Sequence, residues 1–394
     1  MNRLLDMVPS RDHLAPLGAA GGLLPPTLFL VLLLSPPSRF LNLSVLPLFC
    51  LYSIYSCVFY TSGSATDDYG RASLQFTLVL RAIDAFLLSQ PSFELAFKRS
   101  KRNPVPRPWT WKRLGWAIKF ATTLRGAGWE WQVVPKTSQP SSAGTKTSRW
   151  RFIQRRLGKF VVLYLGLDCI STYMQSRPYF HRTASFATLS AGERLLNVLA
   201  AGASAGLAIN TLYQIVCILC VASQAWDPEE CIDLFGSFRH AKNLRGFWGK
   251  TWHQSFRRPF SSIPAFFVNT VLRLSPTSPI SAFTSAFFAF FLSALLHAFS
   301  AFVMNRTGTG SLKFFSIQPF GILLELVVGH LSRKSFPDLS KRVTMVVGFA
   351  WTATWLVYWA PYFIDELVQA GFWELDAAPV SLVRGLWKGE WLHV

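Results

Sequence analysis

The chain has 394 residues, of which 51% are hydrophobic and only 15% are charged, and it carries a formal net charge of +19. Because ordinary soluble domains are about 25% charged, this composition excludes a typical soluble globular protein. The basic excess does not indicate nucleic-acid binding, since most of it lies in one loop between apolar segments and no nucleic-acid motif accompanies it.

Apolar stretches long enough to cross a bilayer recur along the chain, and each crossing takes about 20 residues. We predict eight spans, at 15–34, 40–60, 72–90, 158–176, 195–223, 280–304, 314–331 and 343–368. A ninth apolar piece, 261–274, is too short to cross comfortably and is expected to be re-entrant or interfacial. The sequence therefore predicts an all-α polytopic membrane protein of about eight transmembrane helices (seven to nine), in one membrane-embedded domain over 1–394.

The loop 91–157 holds most of the net positive charge. Residues 91–159 include 16 lysines and arginines but only two acids, Glu94 and Glu130. Because positive charge is retained on the cytosolic side, we predict that this loop is cytosolic, that 224–260 is a cytosolic interfacial segment, and that both termini are lumenal. Its stretch 135–148 is rich in Pro, Ser, Thr and Gly and is predicted to be a flexible linker. The basic residues also favour contact with lipid headgroups or an anionic cosubstrate.

Motifs of common soluble enzymes are absent from the sequence. It contains no Walker A motif, G-x-G-x-x-G or H-E-x-x-H, so the usual sequence signals of ATPases, dinucleotide enzymes and zinc proteases are absent. Cys217 and Cys220 form a C-x-x-C inside an apolar segment without a second ligand pair, which favours core packing. We therefore expect no metal cofactor.

Ionisable side chains are few inside the predicted spans, where each is costly and is by default a functional-site candidate. Arg81 and Asp84 lie three apart on one helical face and are predicted to pair locally. Glu325 either faces a substrate tunnel or pairs with a helix neighbour. His297 is the one histidine well inside a predicted span, in the helix 280–304, and is the strongest candidate.

The helical face that carries His297 is lined by small residues, including Ser293 one turn earlier. Such a face can line a tunnel wide enough for a substrate chain. It can equally permit close helix packing, with His297 hydrogen-bonded to a neighbouring helix. In the first case a neutral imidazole could take a proton from an alcohol near pH 7.

A second polar centre lies in the segment 243–260, which reads NLRGFWGKTWHQSFRRPF. In a helical conformation, it places one aromatic and apolar stripe beside a stripe that contains His253 and Arg257; the first stripe consists of Leu244, Trp248, Trp252 and Phe256. Such an amphipathic helix is predicted to lie at a membrane interface. A plain interfacial anchor explains the aromatic residues, but it leaves His253 and Gln254 unexplained.

Four blocks, in order, resemble the wax-synthase-like branch of the membrane-bound O-acyltransferases. They are RGAGWEWQVVP (125–135), LFGSFRHAKNLRGFWGKTWHQSFR (234–257), FLSALLHAF (291–299) and FFSIQPFGILLELV (314–327). The sequence departs from the pattern of that branch at several positions: Asn243 stands where Ser is usual, Gly246 where Asp is usual, Thr251 where a basic residue is common, and Ala294 where Gly is usual.

The resemblance implies an acyl-CoA-dependent O-acyltransferase whose bundle encloses a reaction tunnel. It implies His297 as the catalytic histidine, with the F-W-x-x-x-W-H-Q segment and His253 beside it, and it needs no metal. The remaining candidates for substrate binding, CoA binding or positioning are Trp248, Trp252, Gln254, Arg257, Ser293 and Glu325.

The resemblance to fungal members of the branch implies acetyl-CoA as cosubstrate and a terpenoid or meroterpenoid hydroxyl as acceptor, in secondary metabolism. The alternative within the family is a wax-ester synthase that joins a long-chain acyl-CoA to a fatty alcohol. The alternative from another class is a non-catalytic transporter or lipid-binding scaffold. The expected partners are the lipophilic alcohol, acyl-CoA and membrane lipids, and the expected location is the endoplasmic reticulum membrane.

Overall fold

The structure is a computed structural model, and it describes residues 13–36, 38–88, 105–127, 129, 131–133, 148–181, 185, 188–335, 338, 340–374 and 378–392. The chain forms two compact units. The first unit comprises Met1–Val134 and Ser255–Ser316, and the second comprises Pro135–Gln254 and Ile317–Val394.

The first unit consists of helices and one short pair of strands. In chain order it contains β1 (Ala15–Pro16), α1 (Ala19–Leu34), α2 (Arg39–Phe59), β2 (Tyr60–Thr61), α3 (Ala65–Ile83) with a π-helical turn at Asp84–Leu88, and α4 (Trp111–Thr122). Its C-terminal stretch adds α8 (Pro259–Phe266), a π-helical turn at Phe267–Val271, α9 (Pro279–Asn305) and α10 (Thr309–Ser316). The strands β1 and β2 pair in parallel over two residues each.

The second unit is also helical. It contains α5 (Arg149–Gln175), α6 (Ala191–Ala222), the single turn α7 (Leu244–Gly246) continued by a π-helical turn at Phe247–Thr251, α11 (Gln318–Ser335), α12 (Lys341–Gln369) and α13 (Leu382–Lys388). Short 3₁₀ turns occupy Pro178–Phe180, Pro228–Glu230 and Phe238–His240. An isolated antiparallel bridge joins Val380 to Leu392.

Side-chain caps explain where many of these helices begin. A Ser or Thr hydroxyl preceding the helix accepts a backbone N–H of the first turn, which satisfies a donor that has no partner within the helix. The residues that cap in this way are Ser38, Ser64, Thr110, Ser190, Ser278, Ser340 and Ser381. At Ser190 the Glu193 carboxylate also accepts the cap's own N–H, which completes a capping box.

Each unit has its own buried aromatic core. In the first unit, α1 to α4 bury a cluster that includes Phe29, Phe49, Phe86, Trp116 and Phe120. In the second unit, α5 and α6 pack over a smaller cluster formed by Phe152, Cys217, Val221, Trp226 and Cys231. The buried position of Cys217 agrees with the packing role predicted for the C-x-x-C.

The structure confirms the predicted all-α polytopic membrane fold but changes the count of apolar spans. Within the described residues, six helical segments are long and apolar enough to cross a membrane: Arg39–Phe59, Arg149–Gln175, Ala191–Ala222, Pro279–Asn305, Thr309–Ser335 and Lys341–Gln369. The span predicted at 15–34 is the 16-residue helix α1, which is apolar but shorter. The span predicted at 72–90 falls on α3 and its π-helical turn, and α3 begins earlier, at Ala65, with two acids in its first turn.

Much of the predicted basic loop 91–157 lies outside the described residues, including most of the linker 135–148. Its described part is not all loop. It contains α4, and α5 begins at Arg149, ahead of the predicted start at 158. Lysines and arginines on the first turns of α5 hid this start, because they lower the local hydropathy without disfavouring a helix.

Candidate active site

His297 lies in the second half of α9, and two aromatic side chains of the first unit hold its ring. The phenol oxygen of Tyr69, on α3, lies 2.6 Å from Nδ1 of His297. The Phe315 ring, on α10, stacks on the imidazole with centroids 4.3 Å apart and planes inclined by 5°. The histidine is partly buried, whereas Tyr69 and Phe315 are 9% and 5% exposed. Both contacts together fix the position and the tilt of the imidazole.

A polar network at the start of α3 supports Tyr69. The adjacent Asp68 is fully buried and accepts hydrogen bonds from Thr61, from the backbone and side chain of Ser62, and from Arg71. Burial alone would raise the pKa of Asp68, but these bonds, above all that from Thr61, hold it below its usual range. Arg71 also donates to the carbonyls of Ser56, in the last turn of α2, and of Tyr60, in β2. The turn between α2 and α3 is therefore fixed one residue before Tyr69.

The turn after α9 brings Phe315 onto the imidazole. Arg306 ends α9 in the left-handed conformation, with φ 62°, and donates to the carbonyl of Val58. Gly308 follows with its backbone against α9, because a Cβ there would lie 2.6 Å from the carbonyl oxygen of Ala298. A residue with a side chain would push α10 away, so the close approach of α9 and α10 requires glycine here.

The other predicted site residues of the first unit are Ser293 and Arg257. Ser293 lies one helical turn before His297 on α9 and is partly buried. Arg257 is also partly buried, and burial lowers the pKa of its guanidinium below the ordinary value. An arginine keeps its charge in proteins, so this position supplies a cation near neutral pH.

Arg81 and Asp84 interact through their charges, but the hydrogen bonds that the described residues show for them go to other partners. Asp84 instead accepts two hydrogen bonds from Arg258, at 2.9 and 3.2 Å. Arg81 donates to the backbone carbonyls of Phe120 and Thr123 at the end of α4. The two side chains therefore tie α3 and its π-helical turn to other parts of the first unit.

The first block of the resemblance, 125–135, packs in this same region. Within its described residues, Trp129 is buried to 1% exposure and contacts Trp116, Phe120 and Trp131 edge-on or tilted. The guanidinium of Arg258 lies 5.6 Å from the ring centroid of Trp131. The two tryptophans of the block therefore build the core of the first unit. Residues 128, 130, 134 and 135 of the block lie outside the described part of the chain.

In the second unit, the segment 243–254 is not the long amphipathic helix that the sequence predicts. Asn243 caps one α-helical turn by accepting the N–H of Gly246 at 2.6 Å, a role that Ser fills equally well. A π-helical turn follows and closes with the bond from the Trp252 N–H to the Phe247 carbonyl. Trp252 has extended backbone, so the helix ends at Thr251 and the predicted stripe of residues spaced by four is not formed.

Gln254 shows why the helix stops there. Its side-chain amide nitrogen donates to the carbonyls of Trp248 and Trp252, at 3.0 and 2.6 Å. Its backbone N–H donates to Leu234, and the Gly236 N–H donates to Thr251. The L-F-G and W-H-Q parts of the block are thus joined by backbone hydrogen bonds. The side-chain amide of Gln254 thus bonds to the backbone of both tryptophans and positions them within the loop.

His253 lies in an aromatic environment within the same loop. Its ring is 5.5 Å from the Trp252 ring and 5.9 Å from the Phe235 ring, and Trp252 also stacks on Phe247. Burial among these rings lowers the pKa of His253 from 6.5 to about 4. The imidazole is therefore neutral at pH 7, because burial disfavours its charged form.

Two polar residues of α11 hold the aromatic loop from the other side. Gln318 is fully buried, and its side-chain oxygen accepts the indole N–H groups of Trp248 and Trp355, at 3.1 and 3.2 Å. One turn of α7 is anchored by Glu325, whose carboxylate accepts the Leu244 N–H at 2.6 Å. Of the two alternatives for Glu325, this geometry supports the structural pairing.

The structure thus brings the candidates together in two groups. In the second unit, Trp248, Trp252, His253 and Gln254 lie in one loop, which Glu325 on α11 contacts through the Leu244 N–H. In the first unit, His297 has Ser293 on its own helix and has two partners that the sequence analysis missed, Tyr69 and Phe315. Gln318 was missed as well, although a glutamine inside an apolar span is a usable signal. An imidazole held at Nδ1 and covered on one face can exchange a proton through Nε2.

Comparison with known proteins identifies the group to which the chain belongs. Residues 231–317 match the sequence model of the membrane-bound O-acyltransferase family. The acetyltransferase ple2 of Rhodocybe pseudopiperita is 31% identical over 336 residues, which cover 84% of this chain and 86% of the relative. The acetyltransferases eriL of Hericium erinaceus and pyr8 of Aspergillus fumigatus are 26% and 28% identical, over 86% and 91% of this chain and 88% of each relative.

No solved structure matches the chain. The match to ple2 extends over most of both sequences, and the family model covers both the W-H-Q loop and the helix of His297. The chain therefore belongs to the membrane-bound O-acyltransferase family.

Proposed function

We propose that this multi-pass membrane O-acyltransferase transfers the acetyl group of acetyl-CoA to a hydroxyl of a terpenoid or meroterpenoid intermediate of secondary metabolism. The observation that carries the proposal is the imidazole of His297, held by Tyr69 and Phe315 within the stretch that matches the family model. Three relatives that align over most of the chain are named acetyltransferases, which supports acetyl as the transferred group.

In the proposed reaction His297 acts as the general base. Its Nε2 takes the proton of the acceptor hydroxyl while the oxygen attacks the thioester carbonyl carbon. The C–S bond then breaks, and the CoA thiolate recovers the proton from the imidazolium, so that the products are the acetate ester and CoA. General-base assistance contributes about 10²–10⁴-fold, and holding both substrates in place supplies much of the remaining acceleration.

The aromatic loop of the second unit is proposed to position substrate rather than to transfer protons. Trp248 and Trp252 are fixed by Gln254, and the loop is anchored to α11 by Gln318 and Glu325. His253 is neutral near pH 7 and can donate or accept one hydrogen bond to a neutral ligand.

Charge is proposed to recruit the cosubstrate. The phosphates of CoA are anionic, and cations such as Arg257 attract them by charge-assisted hydrogen bonds. The acceptor alcohol is lipophilic and is proposed to enter from the bilayer. We place the enzyme in the endoplasmic reticulum membrane; fractionation of cells that express it would test this, since sedimentation with another organelle contradicts the assignment.

Microsomes containing the protein provide the test. They are given labelled acetyl-CoA or a labelled long-chain acyl-CoA, each with a panel of terpenoid and fatty alcohols. We expect acetate esters of terpenoid alcohols from the wild type, and a loss of at least about 10²-fold in His297→Ala, from the contribution of a general base. His330→Ala is the matched control, because His330 is an exposed histidine on another apolar helix, α11.

The other outcomes each contradict a part of the proposal. Ester formation that survives His297→Ala refutes the general base. Long-chain esters alone, formed from fatty alcohols, indicate the wax-ester synthase. No ester from any donor and acceptor, in microsomes that contain the folded protein, favours the non-catalytic scaffold.

A further inference from the structure

We infer that Tyr69 is a positioning residue of the reaction: its phenol oxygen accepts the Nδ1–H of His297 and so keeps the lone pair of the imidazole on Nε2. The inference rests on the proposed role of His297 as general base. Tyr69 is 228 residues away in sequence, and its oxygen lies 2.6 Å from Nδ1.

The short contact decides which nitrogen takes part in the reaction. With Nδ1 engaged by the phenol, proton transfer to and from substrate has to use Nε2. A base needs a lone pair there, and a neutral imidazole then carries its hydrogen on Nδ1. Tyr69 must therefore act as the acceptor of this bond. A phenol that donated to Nδ1 would put the hydrogen on Nε2 and leave the base unable to accept a proton.

The same bond becomes stronger as the reaction proceeds. When His297 accepts the hydroxyl proton it becomes an imidazolium, and the bond from Nδ1–H to the phenol becomes charge-assisted. Tyr69 thus stabilises the charged form that exists only after proton transfer begins. This differential effect lowers the barrier instead of merely strengthening substrate binding.

The surroundings of Tyr69 keep its hydroxyl in place. Its ring is almost fully buried, and the preceding Asp68 ties the start of α3 to Thr61 in β2 and to Ser62. The other charged residues on the helices that contact His297 are Asp67, Asp68, Arg71 and Arg81 on α3 and Lys313 on α10. Asp68 and Arg71 form an ion pair at 3.1 Å, and Lys313 is exposed.

The interface between α3 and α9 offers a matched control. Ser73 on α3 and Ser300 on α9 are joined through their hydroxyl oxygens at 2.8 Å. Ser73 lies one helical turn after Tyr69, and the bond crosses the same helix pair without touching His297. Loss of this bond should disturb helix packing about as much as loss of the Tyr69 hydroxyl, but it leaves the imidazole held.

The experiment compares Tyr69→Phe with Ser73→Ala in steady-state kinetics and thermal stability. We expect Tyr69→Phe to lower kcat at least about tenfold, since hydrogen bonds to charged groups contribute that much or more, with KM for both substrates and the apparent Tm near wild type. Ser73→Ala should keep kcat within about twofold, as expected for a neutral bond away from the reacting atoms. Unchanged kcat in Tyr69→Phe, or an equal loss of kcat in both variants, overturns the inference.

A measurement on the wild-type protein keeps the test independent of how the variants fold. Two-bond ¹H–¹⁵N correlation spectra of histidine-labelled protein distinguish the two imidazole tautomers, and the signal of His297 is the one missing from His297→Gln. We expect the Nδ1–H tautomer; the Nε2–H tautomer overturns the inference. If His297→Ala keeps full activity, the proposed general base itself fails. If His297→Ala is inactive while Tyr69→Phe is fully active, only the role of Tyr69 fails.

Discussion

Neutralising Asp84 is expected to destabilise the protein more than removing its partner Arg258. The two side chains form a bidentate pair at 2.9 and 3.2 Å. Arg81, on the turn before, is buried and lies within the fields of both Asp84 and Arg258. Asp84→Asn therefore leaves two arginine cations that repel each other, whereas Arg258→Met leaves Asp84 beside Arg81.

The magnitude follows from burial. Breaking a buried ion pair by removing one partner costs about 3–5 kcal/mol. The side chains of Arg258 and Asp84 are 21% and 11% exposed, so we expect a value at the lower end of that range, about 3 kcal/mol, for Arg258→Met. Asp84→Asn should lower the free energy of unfolding by more, because repulsion between Arg81 and Arg258 is added. At about 2 °C per kcal/mol, Arg258→Met corresponds to a fall of about 6 °C in the apparent Tm.

The assay is thermal unfolding of the purified protein in detergent at one fixed heating rate. Lys159→Met is the control, because Lys159 and Asp233 are also 2.9 Å apart but are 36% and 55% exposed. An exposed pair contributes about 0–1 kcal/mol. The double variant Arg258→Met with Asp84→Asn should unfold at a higher temperature than Asp84→Asn alone, because the repelling cation is gone. The reasoning is refuted if both single variants unfold within about 1 °C of wild type, the scatter of a neutral surface change, or if Lys159→Met falls as far as they do.

Three further outcomes are expected. Gly308→Ala should lower the free energy of unfolding by about 1–3 kcal/mol, because the new Cβ clashes with the Ala298 carbonyl. Gly192→Ala is the control, since there is open space at its Cβ position. An equal apparent Tm for the two variants would contradict the close approach of α9 and α10. Gln254→Leu should lower the free energy of unfolding by about 2 kcal/mol or more, because two loop carbonyls lose their donor. A Tm unchanged from wild type would show that the loop does not depend on this amide. Burial lowers the pKa of His253 to about 4. Between pH 6.5 and 4 the unfolded chain therefore binds a proton that the folded chain does not, so the Tm should fall as the pH drops through this range. His253→Gln should flatten that dependence. A pH dependence identical in wild type and His253→Gln would refute the shift.

Hydropathy predicted the fold class because the free energy of placing a helix in lipid depends mainly on local composition. Helices α2, α5, α6, α9 and α12 appear where apolar runs were found. Their ends were less predictable, since charged residues of α5 and α3 are accommodated by tertiary contacts that a hydropathy window does not contain. Arg81 illustrates this, because its two acceptors are the carbonyls of Phe120 and Thr123 at the far end of α4.

The candidate site was predicted in part. Membrane depth was enough to single out His297, and the F-W-x-x-x-W-H-Q block was enough to single out the aromatic loop. The conformation of that loop was not predictable from spacing, because Gln254 ends the helix by drawing its amide onto two carbonyls. Tyr69 could not be found from the sequence around His297, since 228 residues separate them. The acidic and basic residues flanking it in D-D-Y-G-R were its one local signal.

The polar residues of the apolar helices differ in what they contact. This difference distinguishes the residues that hold the fold together from the proposed catalytic histidine. Gln318 and Glu325 on α11 contact indole and backbone N–H groups, partners that belong to the fold and carry no charge to exchange. His297 instead contacts a phenol and an aromatic face, which orient the ring without supplying a fixed charge. A carboxylate partner would stabilise the imidazolium before substrate arrives, whereas a phenol leaves the imidazole free to gain its proton from the hydroxyl. In a low-dielectric span, this neutral partner suits the proposed role of His297 as a base that starts uncharged and becomes charged only in the transition state.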